Sequence, residues 1–227
     1  IQPDDPDAKS GRAMVDLNWK ADTRPLHQLI ESIQAQNPAA IGSVADSWLV
    51  CALAERDRAA AEGALAALGQ EDFGYDAVYL SRQFIEGLIA RMTKDEAKAR
   101  TAFTAARAEQ EKIVQAQPNY GPALCVLGLI DASLGRKEEA LREGRRAVEL
   151  LPVAKDSITG ANMILYLAIT AAWVGEKDLA CEQLAIATRL PSLVNYGQLK
   201  LLPYWDPLRG DPRFEKIVAS LAPKEAK

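Results

Sequence analysis

One histidine, three cysteines and a few acidic pairs are the residues of this 227-residue chain whose types invite chemistry, and their spacing argues against most of it. His27 stands alone, so there is no H-E-x-x-H helix, no multi-histidine metal site, and no histidine-based triad unless His27 serves it. It falls on an expected exposed helix face, where a single histidine is ordinarily just a surface residue. Cys51, Cys125 and Cys181 lie far apart and outside any C-x-x-C pair, which removes the zinc ribbon and the redox motif. Each is set among apolar residues and reads as a small buried hydrophobe. Asp4, Asp5 and Asp7 lack the further oxygen ligands and the mid-loop glycine of a calcium loop, and read as a solvated acidic leader. Glu71-Asp72 and Glu138-Glu139 sit at helix starts, where carboxylates favour the positive helix end; that reading stands ahead of a general acid/base pair. Arg142, Arg145 and Arg146 follow Glu138, Glu139 and Glu143 at helical spacing, so a solvated, ion-paired face is expected rather than an anion site. Neither G-x-x-x-x-G-K-[ST] nor a G-x-G-x-x-G after a strand occurs. These residues predict no catalytic centre, no metal and no cofactor, hence not an enzyme.

The elements that would carry any site are helices. Alanine is abundant and aromatic residues make up only 6% of the chain, which leans towards helix because alanine has the best intrinsic propensity. The net charge of -4 is spread over both signs with no basic stripe, so nucleic acid is not expected as a direct partner. The longest continuously apolar run, Met163 to Val174, is 12 residues, too short for the ~20 that span a bilayer, and reads as a buried helix. No signal peptide is visible, and a start at Ile1 reads as a processed form or a fragment. Unpaired thiols suit a reducing, cytoplasmic compartment best, and isolated buried thiols suit a periplasm as well.

Internal repetition is strongest in Ala123 to Pro152, with Leu127-Gly128, Gly135, Ala140, Ala147 and Pro152 in one window. Small residues at 128 and 140 allow two antiparallel helices to approach closely, Gly135 can take the left-handed conformation that ends the first helix, and Pro152 stops the second. These spacings match a repeat unit of about 34 residues, and the segment resembles a tetratricopeptide repeat. A shift of 40 residues carries Gly135, Ala140 and Ala147 onto Gly175, Ala180 and Ala187, which is one repeat plus a six-residue insertion placed at Lys155 to Gly160. Upstream, Gly87, Ala99, Phe103 and Ala106 give a third match, and Thr93 to Glu96 reads as a capping box opening a helix that runs to about Gln117. Ser43 to Leu68, with Trp48, Ala60, Ala64 and Ala67, gives a weaker unit. Leu26, Ile30, Ile33 and Pro38 suggest the second helix of another, whose first helix lies near Ala13 to Trp19.

The expected fold is therefore all-α, which the resemblance sharpens to a right-handed superhelical array of antiparallel helix hairpins. Residues 1–11 form a flexible leader, 12–190 about five units, and 191–227 a C-terminal capping segment with a last helix from Asp211 to about Leu221. In that tail Asp206-Pro207 and Asp211-Pro212 each read as an N-cap followed by proline in the first turn. Trp205, Leu208, Phe214 and Ile217 suit the covering of a final apolar face. The tail, with Gly135 to Ala140 and Leu150 to Asp156, is similar to the C-terminal repeat region of bacterial multidomain signalling regulators, whose kinase, winged-helix or cyclase domains have no motif here.

The resemblance implies that the first helix of each unit lines a concave surface. That registers Phe84, Leu88 and Met92, then Cys125, Leu129 and Ser133, then Leu165, Ile169 and Trp173, with Leu49 and Leu53 extending the set. The face is mostly apolar and lacks the Lys and Asn residues of family members that clamp a peptide carboxylate. It reads in two ways: as a partner groove, or as plain core filled by the chain itself. The expected role is a protein-interaction or scaffolding module, taking a helix or peptide of a partner or another domain of the same polypeptide. Homotypic dimerisation or a purely structural role is the alternative.

Overall fold

A computed structural model describes residues 5–70, 72–75 and 77–224. Helix accounts for 76% of the chain and strand for 2%, so the all-α reading holds. Among the described residues no helix is long and apolar enough to cross a membrane. The chain divides into two compact units, 1–71 with 195–203 and 216–227, and 72–194 with 204–215.

In the first unit, α1 (Pro6–Lys20) and α2 (Arg24–Gln36) pack together, a 3-10 turn (Pro38–Val44) follows, and α3 (Ala45–Glu55) pairs with α4 (Arg58–Leu68). Helix α1 begins seven residues before the expected Ala13, so residues 6–11 are helical rather than a flexible leader. The cause is local. Asp5 accepts the Asp7 amide at 3.2 Å and Pro6 occupies the first turn, an N-cap with a preset φ. Residues 1–4 lie outside the described residues. A short α11 (Tyr196–Leu201), absent from the sequence reading, packs on α1. Gly197 there lies so close to the Leu17 carbonyl that any Cβ would overlap it.

The second unit opens with a hairpin of β1 (Phe73–Tyr75) and β2 (Val78–Leu80), also unforeseen, whose Phe73, Val78 and Leu80 are buried. Three helix pairs follow: α5 (Arg82–Met92) with α6 (Glu96–Ala116), α7 (Gly121–Ser133) with α8 (Lys137–Leu150), and α9 (Thr159–Trp173) with α10 (Lys177–Ala187). Helix α7 packs on α6 on one side and on α9 on the other. The irregular chain between α8 and α9, residues 151–158, overlaps the expected insertion at Lys155 to Gly160 in part, since Thr159 and Gly160 already belong to α9.

The cap of α6 is Asp95, which accepts the Lys98 amide at 3.0 Å; Thr93, expected as the cap, turns its hydroxyl back to the Ile89 and Ala90 carbonyls. The tail segment Pro203–Leu208 is a 3-10 turn, so Pro207 lies inside that turn and Asp206 does not open a helix, whereas Asp211 does cap α12 (Pro212–Leu221). Trp205, Leu208 and Phe214 are buried, Trp205 stacking on Phe214 at 6.0 Å, and Arg213 reaches Asp178 of α10 at 2.6 Å.

Four of these hairpins turn in the same way. The residues at 56, 94, 135 and 175 all have positive φ, and the amide of the next residue donates back five positions, from Asp57 to Ala52, Asp95 to Ala90, Arg136 to Asp131 and Glu176 to Ala171, each at 2.9 Å. That is the Schellman arrangement, which satisfies helix-end carbonyls. Four residues later stand Ala61, Ala99, Ala140 and Ala180, all buried. The register of the weakest hairpin is thus one residue off the sequence reading, with Ala61 rather than Ala60 in the interface.

Opposite these alanines the first helices come close. A Cβ on Gly128 would stand 3.0 Å from the Ala140 carbonyl oxygen, and the Gly87 surface is filled by the Phe103 ring. Gly128→Leu therefore should lower unfolding free energy by about 1–3 kcal/mol or more, because backbone cannot rotate away as a side chain can. Ala108→Leu, on the exposed face of α6, should leave it within about 0.5 kcal/mol. Urea titration of both variants checks this, and equal losses would contradict the interface.

Candidate functional site

The apolar set singled out in the sequence converges within the second unit. Helix α5 supplies Phe84, Leu88 and Met92, α7 supplies Leu129 and Ser133, and α9 supplies Leu165, Ile169 and Trp173. Phe84, Leu88, Leu129, Leu165 and Ile169 are buried, and Met92, Ser133 and Trp173 are half-buried. Phe84 lies parallel to Trp173 at 6.3 Å and tilts against Phe103 at 5.4 Å. Arg91 inserts its guanidinium 4.6 Å from the Trp173 ring centre and 4.9 Å from that of Phe103, and donates to the Ser133 carbonyl at 2.7 Å. Tyr204 stacks on Trp173 at 6.0 Å, and its carbonyl accepts the indole N–H at 2.8 Å.

Of the two readings of this face, the geometry is that of core. Apolar area of this kind gains roughly 25 cal/mol per Å² on leaving water, and here Arg91 and Tyr204 supply the cover. Five of the eight side chains are buried within this unit, and Met92, Ser133 and Trp173 keep part of their surface exposed. Burial pulls the Arg91 guanidinium below its ordinary value, while two aromatic faces and a carbonyl receive its charge. Burial also raises the Tyr204 and Tyr166 hydroxyls and the Cys125 thiol. Cys51, Cys125 and Cys181 are all free and buried, and desolvation pushes the Cys51 thiol up to about 12.

A second cluster joins α6, α7 and α8. Asp131 is fully buried, with Arg107 Nε at 2.6 Å and Arg136 Nε at 3.3 Å from one carboxylate oxygen. Its other oxygen and Oε2 of the buried Glu143 have no other hydrogen-bond partner. Burial first, and then the facing Asp131, raise Glu143 far above the usual carboxylate range, against the pull of Arg142 and Arg107. With Asp131 paired to two guanidiniums, a proton on Glu143 gives both orphan oxygens a partner.

Outside this cluster α8 presents an open cleft of about 700 Å³. Leu124 and Leu141 form its apolar lining, with Glu138, Arg142, Glu143, Arg145, Arg146 and Glu149 around them. Arg146 pairs with Glu149 at 3.1 Å and Arg142 approaches Glu143 at 3.7 Å. Arg145 has no ion-pair partner among the described residues, so the expected ion-paired face is only partly paired. Glu139 pairs with Arg136 at 3.3 Å beside the α8 N-terminus.

His27 is exposed on α2, but Nδ1 lies 2.8 Å from Glu55 Oε2 and Nε2 lies 3.5 Å from Glu31 Oε1. Of the acidic residues considered in the sequence, Asp5 caps α1, Asp7 lies in its first turn, and Asp4 and Glu71 fall outside the described residues.

Comparison with protein-family models, curated proteins and solved structures finds no match.

The Glu143 cluster sets a pH dependence. A carboxyl whose folded value lies above its unfolded value of about 4.5 contributes stability that is complete below that value and is lost as pH rises through the folded value of about 8. Urea midpoints of the unmodified chain should fall between pH 5 and pH 9 by more than those of Glu143→Gln, which keeps a donor towards Asp131 and cannot ionise. Parallel curves for the two proteins would contradict the shared proton.

Proposed function

We propose that this chain is a protein-interaction module of the tetratricopeptide type, and that the outer face of α8, with Leu124 of α7 at its floor, takes a partner segment carrying carboxylates and an apolar side chain. The observation that carries the surface is Arg145, a cation with no ion-pair partner among the described residues, beside a cleft floored by Leu124 and Leu141. Arg142 and Arg146 add positive charge, and a protonated Glu143 removes one opposing negative charge. An acidic peptide with one aliphatic or aromatic anchor would satisfy both the guanidinium and the apolar floor, and charge-assisted bonds to arginine would orient it. Support for the repeat family comes from the four equivalent turns with their buried alanines, together with the close contact of Gly128 on Ala140. The regulator-like tail suggests that the segment bound belongs to a signalling partner or to another domain of the same polypeptide.

Selection of a randomised peptide library on the full chain tests this. Enriched peptides should combine Asp or Glu with a large apolar residue, and their affinity should fall with added salt. Arg145→Glu should lower it at least 10-fold without moving the melting temperature, a loss of about 1.4 kcal/mol or more in binding. Selection of neutral peptides, or binding indifferent to Arg145→Glu, would refute the surface. A concentration-dependent increase in mass that blocks peptide binding would favour self-association there instead.

A further inference from the structure

Helices α2 and α3 of the first unit pack against each other, and each turns a pair of residues four apart into one cleft of about 400 Å³: His27 and Glu31 from α2, Cys51 and Glu55 from α3. Residues at this spacing lie one above the other on a helix face, so two packed helices can bring four donor groups together. Donor atoms of His27, Cys51 and Glu55 all fall within 4.8 Å of one another. The His27 ring is held on both sides, by Glu55 at Nδ1 and by Glu31 at Nε2.

We propose that His27 Nδ1, Cys51 Sγ and the Glu55 carboxylate bind one divalent cation of the zinc class, with Glu31 holding the imidazole from behind. One nitrogen, one sulfur and one oxygen are donors that zinc accepts together, and in a tetrahedral site they stand about 3.5 Å apart. To reach that value the His27–Glu55 pair, now 2.8 Å apart, opens, while the widest spacing, at most 4.8 Å, closes. A Glu31 carboxylate accepting Nε2–H leaves Nδ1 as the free lone pair, the arrangement by which a carboxylate orients a metal-bound histidine. The fourth position faces the cleft and takes water. The metal replaces the Cys51 S–H proton, which leaves to solvent, so binding one cation forms one metal–sulfur bond and releases that proton. A thiolate in the donor set selects against calcium and magnesium, which take oxygen ligands. A surface His–Glu ion pair would account for His27 with Glu55, and the Cys51 thiol also approaches the Thr23 carbonyl at 4.0 Å, so the sulfur's part in metal binding is what a cobalt titration must show.

Cobalt(II) titrated into the metal-free full chain is the direct probe. One equivalent should produce a thiolate-to-cobalt absorption band in the near ultraviolet, which zinc(II) then abolishes. Cys51→Ser should remove the band, and Cys181→Ser, outside the cluster, should keep it. His27→Gln, at an exposed position that folding tolerates, should weaken cobalt binding by more than about 10-fold, and Glu31→Gln by about 10-fold with the band retained. Circular dichroism of each variant checks that helix content is unchanged. A full chain without the band, a band that survives Cys51→Ser, or displacement of cobalt by equimolar magnesium or calcium would overturn the proposal.

Discussion

Each repeated hairpin closes through the same backbone bond, from the amide of Asp57, Asp95, Arg136 or Glu176 to a carbonyl five residues earlier. That bond requires a left-handed residue just before it, and it ends one helix while pointing the chain back antiparallel. Four positions on, an alanine enters the interface; Gly128 meets Ala140 at close range, and Gly87 meets Phe103, the large member of its pair. Only small residues allow this approach. The helix pairs, their buried faces and the cleft on α8 all follow from the spacing it sets.

The same close packing decides what is displayed. Phe84, Leu88, Leu165 and Ile169 are brought together by the α5, α7 and α9 faces, and Arg91 and Tyr204 then complete the enclosure. A charged guanidinium enters this apolar region because two rings and the Ser133 carbonyl receive it. Likewise Asp131 is tolerated at full burial because Arg107 and Arg136 pair with it, while burial and Asp131 together raise the neighbouring Glu143. What remains open on α8 is a mixed surface, apolar at Leu124 and Leu141 and cationic at Arg145.

Much of the fold is legible in the sequence where a residue type is forced. Gly135 and Gly175 announce their turns because glycine takes positive φ without strain; Arg56 and Lys94 occupy equivalent positions and carry no such signal. Asp211-Pro212 was readable as a cap, and the same pair at Asp5-Pro6 starts α1, but Asp206-Pro207 falls inside a 3-10 turn. Local chemistry permits a start without compelling one. The apolar residues of α5, α7 and α9 were visible as a set, whereas their cover was not, because Tyr204 arrives from far along the chain. His27 looked solitary for a related reason. Its partners Cys51 and Glu55 become neighbours only through the packing of α2 on α3, although the i, i+4 spacing within each helix was already present.

Native-state hydrogen exchange at four amides, those of Asp57, Asp95, Arg136 and Glu176, tests the shared turn most directly. If each donates across its hairpin, as described, all four should exchange slowly, through opening of their hairpins rather than as exposed turn amides. Unprotected exchange at any of them, at the rate of an exposed loop, would show that the hairpin in question does not close in this way and would remove it from the repeated set.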